Sequence, residues 1–341
     1  MALTVEQVDT STAPESVLEE MWHYYHEVFA ELLPDDPPES LARVVADWRV
    51  VRPEAETLRW LLRNNGAIEA VAVVHIDLVD NLDNGFGRIH VTAPRRGNGH
   101  ARLLATPLFD WLESKGRTRI HTNVVEGGQF DGLLTRLGLK EAYHDQRSRL
   151  LLADVDRDLM GRWVEQAAER ATDYELLVLN PPMPEEHLQK YCDILFQMNT
   201  APREDFEEED ETMTPERWRE VEETNRESRY HLHTLVAVHQ PTGVFAGSTS
   251  VAADLLDPLQ GWQWETVVHP EHRERGLGRW LKAAMIDVVE REHPEMVRID
   301  TENSTTNDAM LGINLTMGFK PIGRQVIWQG DLATARSNWG V

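Results

Sequence analysis

An α/β fold of the α+β kind, built as two tandem domains that each hold a mixed, mostly antiparallel sheet flanked by helices, is predicted by three observations. The stretch Val267-Val268-His269-Pro270-Glu271-His272-Arg273-Glu274-Arg275-Gly276-Leu277-Gly278 runs from a strand through an Arg- and Gly-bearing turn into an amphipathic helix. A weaker copy, Val91-Thr92-Ala93-Pro94-Arg95-Arg96-Gly97-Asn98-Gly99-His100-Ala101, stands 177 residues upstream. Around each copy one order of elements recurs: strand, two helices, antiparallel strands, turn, helix, strand, helix, strand. A repeated order marks a duplicated unit more firmly than a lone Gly-rich turn does.

The elements follow from spacing. Residues 1–12 read as a strand with its lead-in. Val17, Leu18, Met21, Trp22, Tyr25, Val28, Phe29 and Leu32 fall at helical period, and Pro34-Asp35-Asp36-Pro37-Pro38 breaks that helix before a second one near 39–48. Strand, tight Asn64-Asn65-Gly66 turn and strand span 57–79, and a further strand over 86–91 feeds the upstream turn. A helix over 99–115, a strand over 119–124, a helix over 129–137 and a strand over 147–152 complete a first domain, 1–155. A charged connector helix is expected over 156–171, and a second domain over 172–341. There the strand 174–179, helix 184–199 and acidic loop 200–212 precede Thr214-Pro215, an N-cap and N1 pair that starts the next helix. A hairpin turns at Gln240-Pro241-Thr242-Gly243. The strand 261–268, the turn, the helix 277–292, a strand, the helix 307–317 and a final strand near 325–328 follow.

Composition narrows the function. The chain has 341 residues, 41% of them hydrophobic, so two packed cores are within reach. A net charge of −24 opposes nucleic-acid binding and favours a cationic small molecule or basic peptide as partner. No apolar run is long enough for a membrane span, and the N-terminus lacks a basic region followed by an apolar one, so a cytoplasmic protein is expected. Cys192 is the single cysteine, which excludes an internal disulfide and a thiolate metal cluster; His231, His233, His269 and His272 lack metal-ligand spacing. Monomer and homodimer both remain open.

A turn entering a helix aims consecutive backbone N–H groups at one spot, at the positive end of the helix dipole, and this seats a pyrophosphate. Small residues at 276 and 278 let phosphates approach the backbone. With the later Asn314-Leu315-Thr316-Met317-Gly318-Phe319, these residues resemble the GCN5-related N-acetyltransferase (GNAT) family. Its acetyl-CoA motif is apolar-x-apolar-x-Pro-x-x-[Arg/Gln]-x-x-Gly-x-[Gly/Ala], and the run from Thr266 to Gly278 follows that spacing without a gap. As a tandem, the chain is similar to two-domain actinobacterial acetyltransferases such as mycothiol synthase.

The resemblance implies direct acetyl transfer from acetyl-CoA to an amine held in a ternary complex. Glu265, on the strand before the turn, stands where the family often has its base; its other reading is an ordinary exposed strand residue. Strand alternation puts Glu265 and Val267 on one face, Thr266 and Val268 on the other. The resemblance gives Val268 N–H to the thioester carbonyl. It gives Thr266, Val267, Arg273, Glu274, Arg275, Gly276, Leu277, Gly278 and Arg279 to the cofactor strand and turn, and Asn303 and Asn307 to the pantetheine arm, with helix capping as their alternative. Asn314 takes the catalytic position where many members have a proton-donating Tyr, and an amide has no useful acidity. The acid is then another residue, water, or absent.

In the upstream copy Arg96, Gly97, Asn98, Gly99 and Ala101 keep the turn, while Arg88 replaces the base and Leu134 the Tyr. The first domain is expected to bind acetyl-CoA or only to pack, without catalysis. Three acceptors stay in view: a small or peptidic amine, an aminosugar-cysteine conjugate as in mycothiol synthase, or none, for a non-catalytic binding module. The acidic run 204–211 reads either as a lure for a cationic substrate or as a solvated charge run.

Overall fold

The computed structural model describes residues 3–34 and 36–341. In chain order its elements are β1 Leu3–Val8, α1 Glu15–Leu32, α2 Leu41–Arg49, β2 Ala55–Asn64, β3 Ala67–Asp77, β4 Asn84–His90, α3 His100–Ser114, β5 Arg119–Val125, α4 Asp131–Leu137 and β6 Lys140–Leu151. The second half holds α5 Arg157–Arg170, β7 Tyr174–Leu179, α6 Glu185–Leu195, α7 Pro215–Glu227, β8 Tyr230–His239, β9 Val244–Asp254, β10 Gln260–Val268, α8 Leu277–Glu292, β11 Arg298–Ser304, α9 Asp308–Met317, β12 Lys320–Asp331 and α10 Leu332–Trp339.

The chain folds into two compact units, and neither is contiguous in sequence: Met1–His144 with Glu204–Glu209 and Gln325–Val341, and Asp145–Arg203 with Asp210–Arg324. In unit 1 the strand order is β1-β2-β3-β4-β5-β12, antiparallel except where β4 meets β5. In unit 2 it is β6-β11-β10-β9-β8-β7, antiparallel except where β10 meets β11. A contiguous division at 155 and 172 therefore does not describe the units. The strand expected to close the first domain pairs in unit 2, with Arg147 opposite Glu302. The strand expected to close the second pairs in unit 1, from Gln325 opposite Val125 to Asp331 opposite Arg119.

Side chains explain the exchange. Val326, Trp328, Leu332 and Ala335 are buried among Leu104, Leu108 and Ile120, so β12 and the unanticipated α10 complete the core of unit 1. Leu150 and Leu152 are buried with Leu281, Met285 and Ile299 of unit 2. Asp300 on β11, fully buried, accepts from Arg149 Nε at 2.7 Å and from Arg147 at 2.7 Å, both on β6. Removing a partner from a buried ion network leaves uncompensated charge. Asp300→Ala should therefore cost roughly 3–5 kcal/mol, read as a lower midpoint in denaturant unfolding.

The helix expected to be a charged connector is α5. Its Met160 and Trp163 are buried with α8 residues in the core of unit 2, which makes it a core element. The acidic run is solvent-exposed apart from Phe206, as a solvated charge run would be, and several of its members also have partners. In unit 1 Glu204 accepts from the His144 backbone at 3.3 Å, Glu207 pairs with Arg119, and Phe206 meets His121 edge-on. Asn81 exchanges two hydrogen bonds with Glu209, at 2.8 and 2.7 Å. Among the described residues no helix is long and apolar enough to cross a membrane.

Candidate active site

The two turns have one backbone shape. Glu274 and Gly276 have φ of 65° and 83°; Gly97 and Gly99, at the matching places upstream, have 82° and 76°. Alternate left-handed residues gather backbone N–H groups into an anion-binding nest, and α8 opens directly from this one. A Cβ at Gly276 would meet no atom within 4 Å, so the glycine answers to backbone conformation and leaves the space above the turn open.

In both turns the arginine ties the loop to its strand. Arg273 Nε donates to Val268 O at 3.1 Å, and Arg96 Nε donates to Val91 O at 2.8 Å. Their outer ends differ. Arg273 reaches Thr200 Oγ1 at 2.9 Å. Arg96 pairs with Glu31 at 2.5 Å, and the same carboxylate accepts from the Ala93 backbone at 3.1 Å. The upstream turn is thus already met by a negative charge that a phosphate would face; among the described residues no carboxylate pairs with Arg273 of the downstream turn. Arg275 and Arg279 stand exposed beside the downstream turn, over Tyr174 and Trp163.

Strand β10 carries the remaining geometry. It pairs with β11 from Gln260 to Trp262 and then diverges. On its other edge a bulge between Gln263 and Thr266 sets Trp264 and Glu265 against Ser250 of β9. The bulge sends Gln263 to the α8 side and Glu265 to the α6 side, with exposed Trp264 as the extra residue. Beyond it pairing is regular again. His269 N–H donates to Ala246 O, so the N–H of Val268 points the opposite way, toward the edge that β11 has left. Val267 is buried on the α6 side with Leu188 and Tyr191, as alternation from Glu265 predicts, while Val268 packs with the α8 side.

The divergence opens a cavity of about 360 Å³ lined by Glu265, Thr266, Lys282, Thr301, Asn303 and Asn307, among others. One oxygen of Glu265 accepts from Ser250 Oγ at 2.6 Å, Tyr191 Oη at 2.9 Å and Ser248 Oγ at 3.1 Å. Burial raises the Glu265 pKa, and the three hydroxyls hold it back. Lys282 enters from α8. It is 1% exposed, its Nζ lies 3.3 Å from Gln263 Oε1 and 5.3 Å from the Phe319 ring, and burial alone lowers its pKa to about 7.

Asn314 is buried away from this cavity and donates to Asn303 Oδ1 at 2.7 Å, so it fixes the orientation of Asn303. Asn307 caps α9 by accepting from Met310 N at 3.2 Å and also lines the cavity. Sequence reasoning missed Lys282, Tyr191, Ser248, Ser250 and Gln263. Only Lys282 left a signal: it lies four residues before Ile286 and seven before Val289, inside the apolar stripe of its helix.

Comparisons with known proteins agree with this geometry. Residues 195–319 match the model of the acetyltransferase (GNAT) family. No curated protein matches the sequence. Among solved structures, a tandem GNAT protein from the clavulanic acid biosynthesis pathway, solved without acetyl-CoA, superposes with a TM-score of 0.77 at 21% identity, over 97% of this chain and 99% of that one. A GCN5-related N-acetyltransferase from Sphaerobacter thermophilus gives 0.69 at 15% identity, over 97% and 96%. A glucosamine N-acetyltransferase region of a fungal multi-domain β-N-acetylglucosaminidase also gives 0.69, at 12% identity, with this chain spanning 38% of that protein. The family match spans the downstream turn, so residues 195–319 form an acetyltransferase (GNAT) family domain, and the chain as a whole has the fold of a tandem GNAT protein.

Proposed function

We propose that unit 2 is an acetyl-CoA-dependent N-acetyltransferase acting on a small or peptidic amine. The observation that carries this reading is the cavity at the β10–β11 divergence, where a desolvated carboxylate and a buried amine share one space beside an open anion nest. The backbone of 273–278, with Arg275 and Arg279, would hold the pyrophosphate, and Asn303 and Asn307 would line the pantetheine arm. When bound, acetyl-CoA supplies the activated acetyl group as a thioester.

The chain's own groups divide the proton traffic. Val268 N–H, aimed at the open edge, is the donor for a developing oxyanion. Glu265 takes a proton from the incoming ammonium on the α6 side, and Lys282, in its cationic form, gives one to the departing thiolate from the α8 side. Lys282 thereby fills the acid role that Asn314 cannot. Unit 1 lacks both groups: Arg88 and Ala105 occupy the places 177 residues before Glu265 and Lys282, so no transfer is expected there.

The reading is tested by free-thiol release from acetyl-CoA across a panel of amines that includes polyamines, aminosugars, an aminosugar-cysteine conjugate and basic peptides. Amine-dependent release supports it. Thermal stabilisation by acetyl-CoA with no release for any amine would instead support a binding module, the reading that the absent Tyr at Asn314 favours. Tyr191→Phe removes a donor to the Glu265 carboxylate, and a charged form that loses a hydrogen bond ionises later. The acidic limb of kcat/KM should move to higher pH in that variant while the plateau rate is largely kept; an unmoved limb would disconnect Glu265 from the rate.

A further inference from the structure

Unit 1 has its own divergence. β4 pairs with β5 from Asn84 to Phe86 and then separates, opening a cavity of about 480 Å³, within the usual range for small-molecule sites. Its character is opposite to that of the cavity in unit 2. At the places of Gln263, Lys282 and Thr301, unit 1 has Phe86, Ala105 and Val124. Phe29, Leu32, Ile89, Leu108, Leu133 and Trp339 are among the apolar side chains on the wall.

Three arginines line this cavity, and two are neutralised. Arg95 pairs with Glu27 at 2.6 Å and Glu69 at 3.4 Å, and Arg96 pairs with Glu31. Arg88, at the place of Glu265, has no carboxylate against it among the described residues. Its Nε is sealed from solvent without a hydrogen-bond partner, and its guanidinium lies 5.1 Å from the Phe86 ring. Burial lowers its pKa to about 10, so it is still a cation at neutral pH. His90, beside it on β4, is held neutral by burial, with its pKa near 3. In a chain of net charge −24, an unpaired arginine in an apolar wall is a standing cost unless an anion meets it.

We infer that the cavity of unit 1 is a binding site for an amphipathic carboxylate, its apolar body in the cavity and its carboxylate on Arg88. The carboxylate is free rather than the acyl end of a CoA thioester, because Glu31 already meets the Arg96 turn where a thioester would need to place its phosphates. This site is independent of transfer in unit 2, and either can fail alone.

The test is thermal unfolding of the full chain with octanoate, octanol, octylamine and octanoyl-CoA, in wild type, Arg88→Met and Arg88→Lys. A ligand that binds only the folded state raises its melting temperature. Millimolar octanoate should raise it by several degrees, octanol by less, and octylamine not at all. Arg88→Met should unfold cooperatively, showing that it folds, and should lose the octanoate shift, while Arg88→Lys keeps part of it. An octanoate shift unchanged in Arg88→Met, no octanoate shift in wild type, or a shift from octanoyl-CoA alone would each overturn the assignment.

Discussion

Glu265→Gln is expected to lower amine-dependent thiol release by roughly a hundred- to ten-thousand-fold, the range for loss of a positioned general base. Stabilisation by acetyl-CoA should persist, since the turn at 273–278 is untouched. In the wild type the acidic limb of kcat/KM should lie above the ordinary carboxylate range, because burial raises the pKa of Glu265. The base is the charged form, so rate is lost as pH falls through that raised value. Stability runs the other way: a carboxyl whose folded pKa is raised favours the fold at low pH, and that contribution disappears as pH rises through the folded value. Gln cannot ionise, so the variant should lose the acidic limb and gain stability relative to wild type toward alkaline pH. Equal rates for wild type and variant would remove Glu265 from the chemistry.

Lys282→Met is expected to stabilise the protein and to slow it. Burial takes the lysine from 10.5 to about 7; among the described residues no carboxylate forms an ion pair with it, and its polar contact is Gln263. Between those two pH values the unfolded chain binds a proton that the folded chain does not, so stability rises with pH across the window. A displacement of that size corresponds to a penalty on the order of 5 kcal/mol near pH 7 that vanishes near pH 10.5. Met has similar reach and no charge. Its unfolding midpoint should therefore exceed wild type most near neutrality, and the gap should close as pH rises. Turnover should fall, and with it the alkaline limb that Lys282 sets as its cationic form is lost above pH 7. Parallel stability curves for the two proteins would mean that the lysine is not desolvated. An unchanged alkaline limb would mean that another group protonates the thiolate.

These two residues show unequally how much could be read in advance. Glu265 was legible because a strand before a phosphate turn has a countable register, and alternation placed it on the face where Val267 lies. Its three hydroxyl partners were not, because Tyr191 is 74 residues away in sequence and Ser248 and Ser250 belong to a neighbouring strand whose register sequence does not fix. The bulge was also hidden: one extra residue, Trp264, decides which faces Gln263 and Glu265 take. Most helices and strands were legible from period alone. The ownership of β6 and β12 was not. A run such as Val326-Ile327-Trp328 announces a strand, but its partner follows from tertiary fit, here to β5 rather than to any strand of the second half. The acidic run was legible as a solvent-facing charge run, but charge density in sequence does not reveal that His144, Arg119 and Asn81 meet it.

The exchange of closing strands bears on how the chain is made. During synthesis the first 144 residues emerge long before Gln325–Val341, and until those last residues appear unit 1 lacks β12 and α10, with the buried places of Trp328 and Leu332 unfilled. Unit 2 receives its β6 edge early, from residues already made. The half translated first is therefore the half completed last. A nascent chain stalled before Gln325 should therefore present an unfinished edge at β5 for chaperones or other chains to bind.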